Sequence, residues 1–590
     1  FRPAPPQFLE PLAGMDRMTL RPLLFAATAS LGTLAASTPA LAQSDSVAYF
    51  TRSHSSALPQ ILSTDDRAYY ASLFEAIEAQ NWERVELAFS QRPDGPLHGA
   101  ALATYFLDPN SPRIELPRIE DWLRRYPRNP QVEGIVRLGQ TRGLTWQPGL
   151  PREQSLSRQP GITRRALPRP ISDGTMPANV SAAILDRIKN DDPDGARLLL
   201  DGVDASLSPQ ARAEWRQRVA WSYYIENRDA EAYGMAQLVS QGSGPWVAEG
   251  DWVAGLSAWR IGDCNRAGEF FATSAKGADN PELRVAAHYW AARALIRCRE
   301  PQAAQAHLRA ATQYDETLYG MLAAEQLGKE LPADHTAPDL TAADWQRLAD
   351  EPAVREAVML AEVGRRDVAD DVLRWQVRYG DPDDFAALTR LARALGLAGT
   401  QTYMAYNAPR GTASPPNLRW PVAYHTPHGG WRVDPALAFA HALQESNFRE
   451  RVVSPANAIG LMQIRPIAAR EYAGSINMSA NADLKDPRTN LAFGQRTLEA
   501  LAQASYTNGH LPKIMAAYNA GPTPVSRWNS EVNDQGDPLL WMESIPYWET
   551  RSYVAIVMRN YWMYLRQANA AAPSRKELAE NDWPQFPRTR

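Results

Sequence analysis

Cysteine is almost absent from this chain. Its 590 residues include two, Cys264 and Cys298, too few for a disulfide-dense scaffold or a zinc ribbon. An excess of charge of one sign is missing too. The 62 Lys and Arg stand against 66 Asp and Glu, a net of −4, which excludes a strongly basic nucleic-acid binder and an acidic disordered chain. No segment after residue 42 is apolar for long enough to span a membrane. There is no phosphate-cradling glycine loop and no defensible Ser/His/Asp order. What is present in quantity is length, enough for several cores, together with 46 Pro and 18 Trp, unusual for a plain helical scaffold.

The chain opens on Phe1, with Met15 and Met18 as candidate initiators. After Met18 come Arg21, the apolar Leu23-Leu24-Phe25-Ala26-Ala27 and then Ala40-Leu41-Ala42 before Gln43. That is the order of a cleaved export signal: positive, apolar, small-x-small. The apolar run is broken by Thr and Ser and falls short of the ~20 residues of a membrane span, and no Cys follows it to carry a lipid. Residues 1–42 are therefore expected to be upstream residues and a signal peptide, and the remainder a soluble exported protein without a membrane anchor. An oxidising compartment permits Cys264 and Cys298 to pair; the alternative is two buried thiols.

From about residue 43 to 400 the chain reads as helix, rich in Ala, Leu, Arg and Glu. The reading divides it into an N-terminal helical region (43–147), a Pro/Arg-rich linker or loop (148–177) and a superhelical repeat region (178–400). The repeat rests on three polar turns followed by small residues, Ala232, Ala267 and Ala303, whose spacing fits stacked helical hairpins. Asn190 to Gly195 resembles the start of a calcium loop, but Pro193 and the helical text after it favour an interhelical turn. Beyond Ser414-Pro415-Pro416 the composition shifts to Tyr, Trp, Asn and Gly. Residues 416–570 carry 14 Lys/Arg and 12 Asp/Glu, so this part has no basic patch fit for a polyanion. Residues 571–590 read as a polar tail.

Chemistry concentrates after residue 434. Asp434-Pro435 starts a helix that runs through very apolar text to Glu445 in its last turn. There the negative end of the helix dipole and the loss of water both favour a protonated carboxyl, which a general acid at neutral pH requires. Ser454-Pro455, Gly460-Leu461-Met462-Gln463-Ile464, Ala517-Tyr518-Asn519-Ala520-Gly521 and Ile545-Pro546-Tyr547-Trp548-Glu549-Thr550 follow in order. In order and spacing this set resembles the catalytic domain of the lytic transglycosylases, the SLT domain, which is lysozyme-like and cleaves peptidoglycan. Leu318-Tyr319-Gly320-Met321 to Gly328 is similar to the segment (313–330) that joins the superhelix to the catalytic part in the large soluble members.

The resemblance implies an all-α fold, a helical-hairpin solenoid followed by a lysozyme-like catalytic domain at 416–570. It also implies a periplasmic enzyme that cuts the MurNAc–GlcNAc β-1,4 bond of peptidoglycan glycan strands, with no cofactor and no metal. It makes Glu445 the sole catalytic acid and base. Ser454 and Gln463 then bond the sugar beside the cut, Tyr518 sits over the reacting centre, Asn519 supports its turn and Glu549 stands at the cleft. Two positions depart from the family pattern. Arg465 replaces an apolar residue, and Pro466-Ile467-Ala468-Ala469 lacks a usual Thr.

Cutting a glycosidic bond needs a proton for the leaving oxygen and stabilisation of an oxocarbenium-like centre. Hydrolases usually add a second carboxylate, and Glu549 is the best second candidate. Thr550 is expected to cap the helix after it. His425 and His428, in a Pro/Gly loop without an acidic neighbour, suggest no metal. Of the local aromatics Trp431, Tyr472, Tyr506, Tyr518, Trp528, Trp541, Tyr547 and Trp548, most are expected in the core. Two rival readings remain, a hydrolytic muramidase using the same acid and a non-catalytic wall-binding scaffold. Because the catalytic set lies within about 420–570, a fragment from Pro416 to Ala571 is expected to fold and cleave alone.

Overall fold

Proline explains how a helical chain tolerates so much of it. Helix after helix begins on Pro preceded by a capping side chain: Asp192-Pro193, Ser208-Pro209, Asn280-Pro281, Asp434-Pro435, Asp486-Pro487 and Asp537-Pro538. Proline at the first helical position costs nothing, because its missing N–H would have no intrahelical acceptor. The residue before it accepts a hydrogen bond from the open backbone N–H groups of the first turn. The computed structural model describes residues 41–52, 57–332 and 335–587, with side chains from residue 46. Among these are 28 α-helices and two three-residue strands, Leu156–Arg158 and Asn407–Pro409, paired antiparallel with Leu156 opposite Pro409. The fold is all-α, as expected. The expected signal peptide lies outside the described residues except for Leu41 and Ala42, which begin the helix Leu41–Thr51.

The solenoid is built from hairpins that share one turn. Asp191, Asn227, Gly262 and Arg299 each have positive φ and each stands two residues before the next helix, which starts at Pro193, Asp229, Cys264 or Pro301. Such a turn reverses the chain in very few residues. Only one of the four positions uses glycine, so the repeat is hard to see in the sequence. The buried small residue is the fourth of its helix: Ala232, Ala267 and Ala304. The third repeat was expected at Ala303, which is exposed; the helix start, not the turn motif, sets the phase of burial. Asp192 caps its helix through the Gly195 N–H, which makes 190–195 an interhelical turn.

Cys264 opens one helix and Cys298 caps the end of the next. Their sulfurs form a disulfide with Cα atoms 5.6 Å apart, closing a loop with a sequence separation of 34. In the chain-entropy account such a crosslink stabilises by ~3–4 kcal/mol. Replacing both cysteines with serine is expected to lower the melting temperature by several degrees. Reductant should lower that of the wild type equally and leave the double variant unchanged.

The expected regional limits change in several places. Helices between Thr64 and Gln140 share one core with those between Ala342 and Tyr406. The superhelical hairpins 178–327 instead share theirs with residues 420–578. The expected 178–400 region is thus divided between two cores. Apart from the strand Leu156–Arg158, residues 148–177 carry no regular element, and they pack against the rest of the chain as a strap. Arg165 forms a two-pronged ion pair with Glu249, Glu214 accepts from the Ile171 N–H, and Trp246 Nε1 donates to the Arg169 carbonyl. The helix Leu41–Thr51 packs on the 420–578 part, with Phe50 against Phe439 and Tyr564. The presumed tail contains the helix Pro573–Ala579, whose Leu578 and Ser574 are buried.

Candidate active site

The helix Pro435–Ser446 carries the acid. Asp434 caps it, accepting from the Ala436 N–H, from Ser46 Oγ at 2.8 Å and from Tyr561 Oη at 2.9 Å. Every residue from Pro435 to Ala442 is buried. Asn447 and Phe448, both at positive φ, end the helix, so Glu445 stands in its final turn, half-buried. Burial, reinforced by the charge of Glu549, pushes the Glu445 carboxyl up to about 7, against a lowering hydrogen bond from Tyr553. A carboxylic acid at that level is substantially protonated near neutrality.

The hydrogen bond comes from the helix Trp548–Gln567. Tyr553 Oη donates to Glu445 Oε1 at 2.6 Å and lies 2.8 Å from His441 Nδ1, one turn before the acid. Burial drives His441 down to about 3 and so keeps its ring uncharged. The Tyr518 ring lies over His441 at 4.7 Å, and Tyr518 Oη donates to the Met462 carbonyl at 2.7 Å. Neither Tyr553 nor His441 belongs to the motifs that stand out in the sequence. The one available signal is the four-residue spacing of His441 and Glu445, which puts both on one helix face.

Ser454 and Gln463 sit on a loop joined to the acid helix, since Ser446 Oγ donates to the Leu461 carbonyl at 2.8 Å. Within it, Val453 and Ile464 each bridge to Ile459, Ser454 Oγ accepts from the Ala458 N–H, and Gln463 Nε2 donates to the Gly460 carbonyl. Asn490 locks this loop. Its Oδ1 accepts from the Met462 N–H, and its Nδ2 donates to the Ile459 and Leu484 carbonyls. Gly460, at φ 75°, is required there, because a Cβ would meet Asn490 Nδ2 at 2.4 Å and the Leu484 carbonyl at 2.5 Å. Nothing local in the sequence marks Asn490 for this work.

Asn519 Oδ1 accepts from Thr550 Oγ1 at 2.7 Å, so Thr550 holds the Tyr518 turn. It is not the expected helix cap; Tyr547 occupies that position. Glu549 is exposed in the first turn of the same helix and makes no hydrogen bond or ion pair among the described residues. Arg465 is exposed where the helix Pro466–Tyr472 begins. One further expectation is corrected. His425 and His428 do have acidic neighbours, Glu450 at 2.7 Å and Asp486 at 3.5 Å, brought from elsewhere in the chain. Most of the eight aromatics do belong to the core: Trp528 and Trp541 are fully buried, and Trp431, Tyr472, Tyr506 and Tyr518 pack partly buried against the same cluster, while Tyr547 is exposed. No cluster of three metal-ligating side chains occurs among the described residues.

The candidate site is thus a short apolar helix that ends on one partly buried acid, with a loop pinned to it through Ser446 and Asn490. Residues 426–540 match the model of the transglycosylase SLT domain family, and the chain carries an SLT domain. A soluble lytic murein transglycosylase of Escherichia coli K12 is 34% identical over 169 residues, 28% of this chain and 26% of that protein. A Haemophilus influenzae relative named for the same activity is 30% identical over 274 residues, 44% of each. This chain thus spans about a quarter of the E. coli relative and under half of the other. Two solved structures share the fold. The 70-kDa soluble lytic transglycosylase of E. coli has a TM-score of 0.51 at 19% identity, covering 89% of this chain and 100% of that one. An inactive variant of the Pseudomonas aeruginosa lytic transglycosylase Slt has a TM-score of 0.50 at 20% identity, covering 85% and 73%.

Proposed function

We propose that this protein is a peptidoglycan lytic transglycosylase that cuts between N-acetylmuramic acid and N-acetylglucosamine, with Glu445 as the single acid and base. The observation that carries the reading is a partly buried carboxyl, raised to about 7, whose one hydrogen-bond partner among the described residues is the neutral Tyr553 hydroxyl. Protonated Glu445 gives its proton to the glycosidic oxygen as the bond from the anomeric carbon breaks. The N-acetyl oxygen of the muramic sugar shields that carbon. The ionised carboxylate then removes the C6 hydroxyl proton as that oxygen closes on the anomeric carbon. The product is a 1,6-anhydro ring, Glu445 ends protonated again, and no water is consumed.

Ser454, Gln463, Tyr518 and Asn519 serve in this reading as the sugar-facing wall, and the strap and hairpins as a guide for the strand. A groove of about 470 Å³ is lined by Tyr506, Pro522, Thr523, Ser526 and Arg527. Export to the periplasm rests on the residue pattern at 18–42 and fits the disulfide. No helix among the described residues is long and apolar enough to cross a membrane.

One observation favours a second reading. Glu549 is a second carboxylate whose charge reaches Glu445, so a hydrolytic muramidase remains as the alternative. Mass spectrometry of products from purified sacculi decides. Transglycosylation gives non-reducing anhydro ends, one water lighter than the reducing ends that hydrolysis leaves. Reducing ends alone would overturn the transglycosylase reading.

A further inference from the structure

The acid belongs to a hydrogen-bonded chain of three side chains, His441, Tyr553 and Glu445, linked at 2.8 and 2.6 Å. Tyr553 has one proton to give. If it points to Glu445, Tyr553 is an acceptor towards His441, whose Nδ1 must then carry hydrogen. If it points to His441, the Glu445 proton is drawn into Tyr553 and away from substrate. His441 Nε2 is buried with no hydrogen-bond partner among the described residues. A buried N–H without an acceptor is rarer and costlier than an acceptor without a donor, so Nε2 is the bare nitrogen and Nδ1 the protonated one. The ring cannot readily change role, because Tyr518 packs over it and the helix around it is buried.

We propose that His441 is a positioning residue: its Nδ1–H donates to Tyr553, which fixes the tyrosine hydroxyl as a donor to Glu445 Oε1 and leaves the acid proton on Oε2. Glu445 Oε2 takes no hydrogen bond from the described residues, so its proton is available to the glycosidic oxygen. When that proton leaves, Tyr553 is already aimed at the new carboxylate and no group has to turn. The titratable groups facing this chain are Tyr518 from the helix Leu511–Ala520, its phenol held neutral by burial, and Glu549 from the first turn of the helix that carries Tyr553. Among the described residues no Lys, Arg or His forms an ion pair with Glu445. This inference rests on the acid role of Glu445 proposed above.

The test compares full-length wild type with His441→Phe, which keeps a ring under Tyr518 but has no donor, and His441→Asn, whose amide nitrogen replaces Nδ1. Losing one net hydrogen bond of about 1 kcal/mol should cut kcat about fivefold in H441F, with KM nearly unchanged. It should also move the basic limb of the kcat/KM profile to higher pH, since a weakened Tyr553 bond leaves the carboxylate less stabilised. H441N should restore both. An activity-independent readout is nitrogen NMR of histidine-labelled protein, with the His441 signal assigned by its loss in H441N. It should report the Nδ1–H tautomer throughout the neutral range. An Nε2–H tautomer overturns the proposal. So does a folded H441F with an unmoved pH limb, or an H441N that behaves as H441F. Wild type that makes no cleavage product at all refutes the underlying reading instead.

Discussion

Glu445→Gln lowers turnover on sacculi by at least ~10²-fold while the fold survives, because general acid–base catalysis is typically worth 10²–10⁴. Gln keeps the shape and still accepts from Tyr553, but it has no proton to give the leaving oxygen. The same substitution changes stability in a pH-dependent way. Between the ordinary glutamate value of 4.5 and about 7, the unfolded chain has released this proton while the folded protein still holds it. Stability from this site is therefore greatest at acidic pH, falls as pH rises through that window and stays low above it. The variant has no such term. It should melt above wild type on the alkaline side of neutrality, and the gap should close in acid. Near-normal sacculus digestion by a folded variant would sink the assignment. Parallel melting curves at both pH extremes would show that the carboxyl is not raised.

The second large effect concerns the fragment 416–571, which from length alone should fold. In the structure its helix Trp548–Gln567 is covered on several sides by chain outside those limits. Phe50 packs on Phe439 and Tyr564. Arg559, almost fully buried, pairs with Glu282 and donates to the Thr163 carbonyl at 2.8 Å. Arg566 pairs with Asp315, Tyr319 donates to Glu543, and Trp562 Nε1 donates to Ser574. Cutting these away exposes a broad apolar face around Met558, Trp562 and Tyr564, all fully buried in the whole chain. A contiguous apolar face of that kind favours association over folding. The fragment is expected to aggregate and to lack a cooperative melt, whereas the full chain melts cooperatively. Circular dichroism with thermal melting checks it, and a monomeric, cooperatively folding fragment that cleaves short glycan chains would refute it.

Local text was enough for whatever depends on neighbours along the chain. Asp434-Pro435 and its kin start helices because capping and proline stereochemistry act within one turn. An apolar stretch ending in Glu445 places a carboxyl at a dry, electronegative helix end by helical geometry alone. The ordered motifs from Ser454 to Glu549 supplied the family resemblance on top of that physical reading. What the sequence could not determine are relations between distant segments. Tyr553 reaches Glu445 only because two helices more than a hundred residues apart in the chain pack together. Asn490 serves a loop 28 residues away, and Glu450 and Asp486 come to the two histidines from elsewhere. The division into cores was hidden for the same reason. Helical periodicity says that a face is buried, not against which partner, so the chain after Ala342 read as more solenoid although it closes on the N-terminal helices. By itself the sequence determined helices, their starts and the place of Glu445 at the end of an apolar helix. Tertiary packing alone decided what surrounds that acid, because desolvation and hydrogen bonding at Glu445 come from groups that local propensity does not bring near.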